Sequence, residues 1–217
     1  MPENKTTTIT AHTGCESTKD NSLEAIRKGY DCKADIVEFD INYLSNGTPV
    51  LSHDAPEGEC PTLEEAFALV STLDGLKVNV DLKSVSNVKE VYALALKYGI
   101  EERIFYTGVE EKDVKAVKAA TPEAEYYLNI KVSRLRKRNR KYLTSLAEKV
   151  ENCGAVGINM RYKVLTKELL QVFSEKGLLV SVWTVNSEEA LKKVFALAPD
   201  NITTRIPSVA AKIKNKN

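Results

Sequence analysis

No run of 18 or more apolar residues occurs anywhere in this chain, so the sequence offers no helix able to cross a bilayer. The first ten residues, MPENKTTTIT, lack the apolar core of a secretory signal. Neither sign of charge is in excess: 31 basic residues stand against 30 acidic ones, a net of +1, which argues against general nucleic-acid binding by the whole fold. The four cysteines, at positions 15, 32, 60 and 153, have no CxxC spacing, and the two histidines do not pair with them at zinc-ligand spacing. They read as reduced thiols. These absences together predict a cytoplasmic protein with no membrane span and no nucleic-acid partner.

What is present is a repeat. The 217 residues, 43% of them hydrophobic, suit one domain spanning 1–217. Short β-rich runs alternate with helical patterns: ITAHTG (9–14), ADIVEFDINYL (34–44), LKVNVDLK (76–83), RIFYTG (103–108), EAEYYLNI (123–130), AVGINM (155–160), LLVSVWTV (178–185) and DNITTR (200–205). A further extended piece, 48–54, follows the Asn46-Gly47 turn. Asp20 or Asn21 is a plausible cap for the first helix, and Thr62 with Glu65 forms a capping box for the second. A basic helix is expected around 133–152. Eight β-then-α units imply a parallel sheet with helical crossovers, and that number suggests a closed (β/α)8 TIM barrel over an open doubly wound sheet.

In such barrels chemistry gathers at the C-terminal ends of the strands. His12 ends the first β run. Glu38 and Asp40 lie two apart, so a strand puts both carboxylates on one face, amid apolar Ile36, Val37, Phe39 and Ile41. A parallel barrel strand is covered on both faces, and two carboxylates there are costly unless paired or bound to a cation. Hard oxygen ligands suit Mg²⁺ or Ca²⁺, and Asp81 can add a third. Both histidines of the chain, His12 and His53, fall at the expected rim and suit general acid–base work. Lys83, Asn129, Asn159, Trp183 and Arg205 also end or follow strands.

The order of short motifs resembles the glycerophosphodiester phosphodiesterase (GDPD) family of α/β barrels. The matching segments are A-H-T-G at 11–14, N-S-L-E-A-I at 21–26, A-D-I-V-E-F-D-I at 34–41, N-G-T-P-V-L-S-H-D at 46–54, P-T-L-E-E at 61–65, D-L-K at 81–83, V-W-T-V-N at 182–186 and I-T-T-R-I-P at 202–207. The resemblance implies that His12 and His53 are the acid/base pair. It makes Glu38, Asp40 and Asp81 divalent-metal ligands, Asp81 standing where the family usually has a glutamate. Lys83 would contact the phosphate and Trp183 would wall the substrate pocket. The implied partner is a small phosphodiester. In this family a hydroxyl next to the ester attacks first, giving a cyclic phosphate that water then opens.

Three features depart from the family pattern. The first motif is His12-Thr13-Gly14 in place of H-R-G, which removes a phosphate-binding arginine that threonine cannot mimic. The closing motif carries Arg205 where the family has an aspartate, and the flanking strands are neighbours in a closed barrel. Arg205 therefore either replaces the lost arginine, or faces solvent or pairs with a surface acid. The segment after His53 is short, which leaves the substrate alcohol less defined than the chemistry. In addition, KVSRLRKRNRK (131–141) holds seven basic residues in eleven, either a solvated helix start or a funnel for an anion. Cys15 is close enough in sequence to His12 to line the site. Two further readings compete with a diesterase for small substrates: a phospholipase D-like headgroup-releasing enzyme, and a degenerate barrel that binds a phosphorylated ligand without turnover.

Overall fold

Each of the eight β runs becomes a strand, and each is followed by a helix, in a computed structural model that describes residues 6–216. The strands are β1 (Thr8–Ala11), β2 (Ile36–Tyr43), β3 (Pro49–Leu51), β4 (Lys77–Leu82), β5 (Ile104–Val109), β6 (Tyr126–Asn129), β7 (Gly157–Arg161), β8 (Leu179–Trp183) and β9 (Asn201–Thr204). The helices are α1 (Leu23–Asp31), α2 (Leu63–Ser71), α3 (Val88–Lys97), α4 (Val114–Ala120), α5 (Arg140–Cys153), α6 (Lys167–Glu175), α7 (Glu188–Phe195) and α8 (Pro207–Lys214). β1 pairs in parallel with both β2 and β9, so the ring closes and the open doubly wound alternative falls. The result is a single (β/α)8 barrel. β3 lies outside the ring, antiparallel to β2, and is shorter than the 48–54 run.

Side-chain caps set where several helices begin. Ser22, Thr62, Asn139, Thr166 and Ser187 each accept a hydrogen bond from the backbone N–H three residues on. Such a cap contributes about 1 kcal/mol. The cap of α1 is thus Ser22, not Asp20 or Asn21. The basic helix expected from 133 begins only at Arg140; residues 131–139 form a loop of turns. Clustered cations disfavour the positive end of a helix dipole, and Asn139 caps the helix that does form.

Period-2 alternation divides the strands into two environments. Outward residues such as Ile9, Val37, Phe39, Val78, Val80 and Ile158 pack under the helices. Inside the barrel, a small apolar plug of Ile36, Phe105 and Tyr127 lies near the strand N-termini, the two rings 5.4 Å apart. Above it the interior turns polar, where such barrels are commonly filled by branched apolar chains. Those polar groups are satisfied: Thr10 donates to Asn201 at 2.8 Å, and Asn201 donates to Ser181 at 3.0 Å. The polar layer is the floor of the site.

Candidate active site

Register brings the acids together. Asp40 of β2 lies opposite Asp81 of β4, and Glu38 lies opposite Asn79. Oxygen atoms of Glu38, Asp40 and Asp81 all approach within 4.8 Å of one another, with Glu38 and Asp40 buried. Lys83 reaches back over this cluster, its Nζ 2.9 Å from Asp40 Oδ1 and 2.6 Å from Asp81 Oδ2. Burial alone would lower the Lys83 pKa, but Asp81 and Asp40 outweigh it and hold the ammonium charged. Glu38 is pushed well above the usual carboxylate range, first by burial and then by the charges of Asp40 and Asp81. Three hard carboxylates so arranged, with more negative charge than one lysine neutralises, fit a hard divalent cation.

A cleft of about 370 Å³ opens above them at the strand C-termini. All ten residues singled out from the sequence line it. His12 places Nδ1 2.8 Å from the Thr13 carbonyl, which can only accept, so Nδ1 carries the proton and Nε2 keeps its lone pair. Burial lowers the His12 pKa, the Thr13 bond partly offsets this, and nearby Arg205 lowers it further. His53 sits on the open loop after β3 with its side chain 64% exposed and Nδ1 3.0 Å from Asp54. Asn159 donates to Asn129 at 3.1 Å across paired strands β7 and β6. Trp183 is half-buried on the wall, stacked under Arg161 at 5.6 Å, and its indole nitrogen has no hydrogen-bond partner among the described residues.

Arg205 lines the cleft and also pairs with an acid, Asp20, at 2.7 and 3.1 Å. Of the sequence alternatives for this arginine, the structure shows the ion pair with an acid, and it lies at the cleft. Cys15 does not line the cleft. Its thiol is buried toward α1, donates to the Ala25 carbonyl at 3.5 Å, and is pushed up to about 11 by burial.

Several site residues carried no chemical signal in the sequence. Asn21, at φ 53°, donates to Asp40 Oδ2 at 2.9 Å and accepts from the Asp40 backbone N–H at 3.0 Å. Thr13 donates its backbone N–H to Glu38 at 2.9 Å, and its hydroxyl accepts from the Asn21 N–H. Thr107, opposite Asp81, sets its hydroxyl 2.9 Å from Asp81 Oδ1 and 2.8 Å from Asn79 Oδ1. Beside it Gly108 has φ +75°, and a Cβ there would stand 2.3 Å from the Leu82 carbonyl and 2.8 Å from Asp81 Oδ1. Only glycine lets β5 approach the acid cluster this closely.

Three carboxylates, a lysine and two histidines meet at the mouth of a closed parallel barrel, and the family the chain matches is one of phosphoric diester hydrolases. The Glycerophosphoryl diester phosphodiesterase family model matches residues 12–57 and 55–207, and the chain belongs to that family. It is 22% identical to a glycerophosphodiester phosphodiesterase of Caldanaerobacter subterraneus subsp. tengcongensis, over 97% of this chain and 98% of the relative. A solved structure assigned as a glycerophosphoryl diester phosphodiesterase of Silicibacter pomeroyi superposes with a TM-score of 0.85 at 16% identity, covering 99% of this chain and 95% of that one. A phosphodiesterase of Oleispira antarctica, solved with the product sn-glycerol-3-phosphate, superposes with a TM-score of 0.78 at 17% identity, covering 96% of each chain.

Proposed function

We propose that this chain hydrolyses a glycerophosphodiester or similar small phosphodiester, with a divalent cation, Mg²⁺ or Ca²⁺, held by Glu38, Asp40 and Asp81. The observation that carries the reading is the acid cluster within 4.8 Å, bridged by Lys83, in one cleft with both histidines. A bound cation supplies charge neutralisation at the phosphoryl oxygens. Lys83 adds a second positive charge where negative charge grows in the transition state. His12, neutral with Nε2 free, takes the proton of the attacking hydroxyl that lies next to the ester. His53, open to solvent and beside Asp54, gives a proton to the leaving alkoxide. Water then opens the cyclic phosphate with the two roles exchanged. Arg205 supplies the phosphate contact that Thr13 cannot, and Trp183, Asn129 and Asn159 orient the alcohol.

The test is alcohol release from a panel of glycerophosphodiesters with Mg²⁺ or Ca²⁺ added after chelation, with His12→Ala and Glu38→Ala alongside. Metal-dependent release lost in both variants supports the reading. Tight binding of phosphodiesters with no release under any condition overturns it in favour of a non-catalytic barrel.

A further inference from the structure

The loop of residues 131–139 joins β6 to α5 on the same face as the cleft, directly after Asn129 of the cleft wall. At its tip Leu135 is 99% exposed, the most exposed large hydrophobic side chain among the described residues. Its neighbours in sequence are Arg134, Arg136, Lys137 and Arg138. A single exposed leucine on a mobile tip means little. This tip is fastened. Val132 is buried, and the Ser133 N–H donates to the Tyr142 hydroxyl at 3.0 Å. Arg136 stacks on the Tyr142 ring at 4.2 Å, and the Lys137 carbonyl accepts from Thr166 at 3.0 Å. The backbone also turns through Arg136 N–H to Ser133 and Asn139 N–H to Arg136. Leu135 is thus held in water by a braced loop.

The charge around it is nearly all of one sign. Lys131 and Arg134 are exposed and have no acidic partner among the described residues, and Arg138 meets Glu168 only at 3.8 Å. Arg161, which ends β7, and Lys163, on the connection to α6, extend the positive rim. A projecting aliphatic side chain set in a basic collar matches an anionic lipid surface, where the leucine enters the acyl boundary and the cations meet headgroups. Single-stranded nucleic acid would call for exposed aromatic rings to stack on bases, and residues 131–141 contain none.

We infer that the 131–139 loop docks this protein on anionic lipid surfaces, with Leu135 inserting and Lys131 and Arg134 supplying electrostatic attraction. The docked cleft then faces phosphodiesters at the lipid–water interface. The docking assay involves no turnover, so its outcome is separate from that of the proposed chemistry.

The experiment is cosedimentation with phosphatidylcholine vesicles, with and without phosphatidylglycerol, at physiological salt. Expected is binding only to vesicles containing phosphatidylglycerol. Leu135→Asn should weaken the partition about tenfold or more. Lys131→Gln with Arg134→Gln should abolish it, and all these exposed variants should keep the wild-type melting temperature. Absence of binding to phosphatidylglycerol vesicles overturns the inference. So does binding that Leu135→Asn leaves unchanged, or an RNA oligonucleotide bound more tightly than the vesicles. A wild-type dimer that Leu135→Asn converts to monomer overturns it as well, by making a second copy the occupant of the loop.

Discussion

Arg205, at the end of β9, and Asp20, in the connection from β1 to α1, meet in a two-point ion pair, Nη1 to Oδ1 at 2.7 Å and Nη2 to Oδ2 at 3.1 Å. The pair spans 185 residues of sequence and stands on the rim of the cleft. With side chains 38% and 55% exposed, it adds little stability, about 0–1 kcal/mol. Its consequence lies in what Arg205 is free to bind. Arg205→Ala is expected to weaken inhibition by inorganic phosphate about tenfold. Asp20→Asn, which releases the guanidinium, should strengthen it a few-fold. Inhibition constants unchanged in both variants would reduce the pair to a strut between two loops.

Asn21 holds Asp40 from two sides, through its amide and through the Asp40 backbone N–H. Loss of such an outer hydrogen bond commonly lowers metal affinity about 10- to 100-fold. Asn21→Ala should show that loss in a calorimetric titration with Mg²⁺ or Ca²⁺. An unchanged affinity would mean that Asp40 needs no such support.

Glu38 is buried beside two other carboxylates, and its raised pKa has a sign that can be tested without substrate. The folded, metal-free protein binds a proton at Glu38 that the unfolded chain releases near 4.5. Its stability therefore falls as pH rises from that value toward the folded one. Glu38→Gln removes this penalty and should raise the metal-free melting temperature at neutral pH by about 2–4 °C. The same variant should no longer gain stability from added cation. A lowered melting temperature would mean that the Thr13 N–H, His12 Nδ1 at 3.8 Å and the charge of Lys83 together outweigh burial and the neighbouring acids.

His12 acts as the neutral base in the proposed chemistry, and burial lowers its pKa below the ordinary 6.5. A base is active once deprotonated, so kcat/KM should rise with pH through a midpoint below 6.5 and stay level above it until another group titrates. Arg205→Ala removes a lowering charge and should move this acid limb upward. A limb above the ordinary histidine value would assign the base to another group.

Much of the site was legible because barrel strands obey a period of two. Glu38 and Asp40 on one strand, with Asp81 on another and Lys83 just beyond its end, fall on a common inner face by spacing alone. Register then brought Asp40 and Asp81 opposite each other. The residues that hold this arrangement were not legible. Asn21 and Thr13 sit in a connection whose path no periodicity describes, and Asn21 imitates a helix cap while Ser22 does the capping. Thr107 looks like any strand threonine until the β4–β5 register sets it against Asp81. The partner of Arg205 depended on closure of the ring, which sequence spacing alone does not specify. The basic segment from Ser133 reads as helix in the sequence because long cationic side chains have good helix propensity, whereas repulsion among clustered cations acts over the whole turn.

The most direct measurement follows a glycerophosphodiester by ³¹P NMR in the presence of Mg²⁺ or Ca²⁺. The account predicts loss of the diester signal, a transient cyclic phosphate and accumulation of a phosphomonoester, all abolished by chelation and by His12→Ala. Hydrolysis that continues undiminished after chelation, or in the His12→Ala protein, would contradict it.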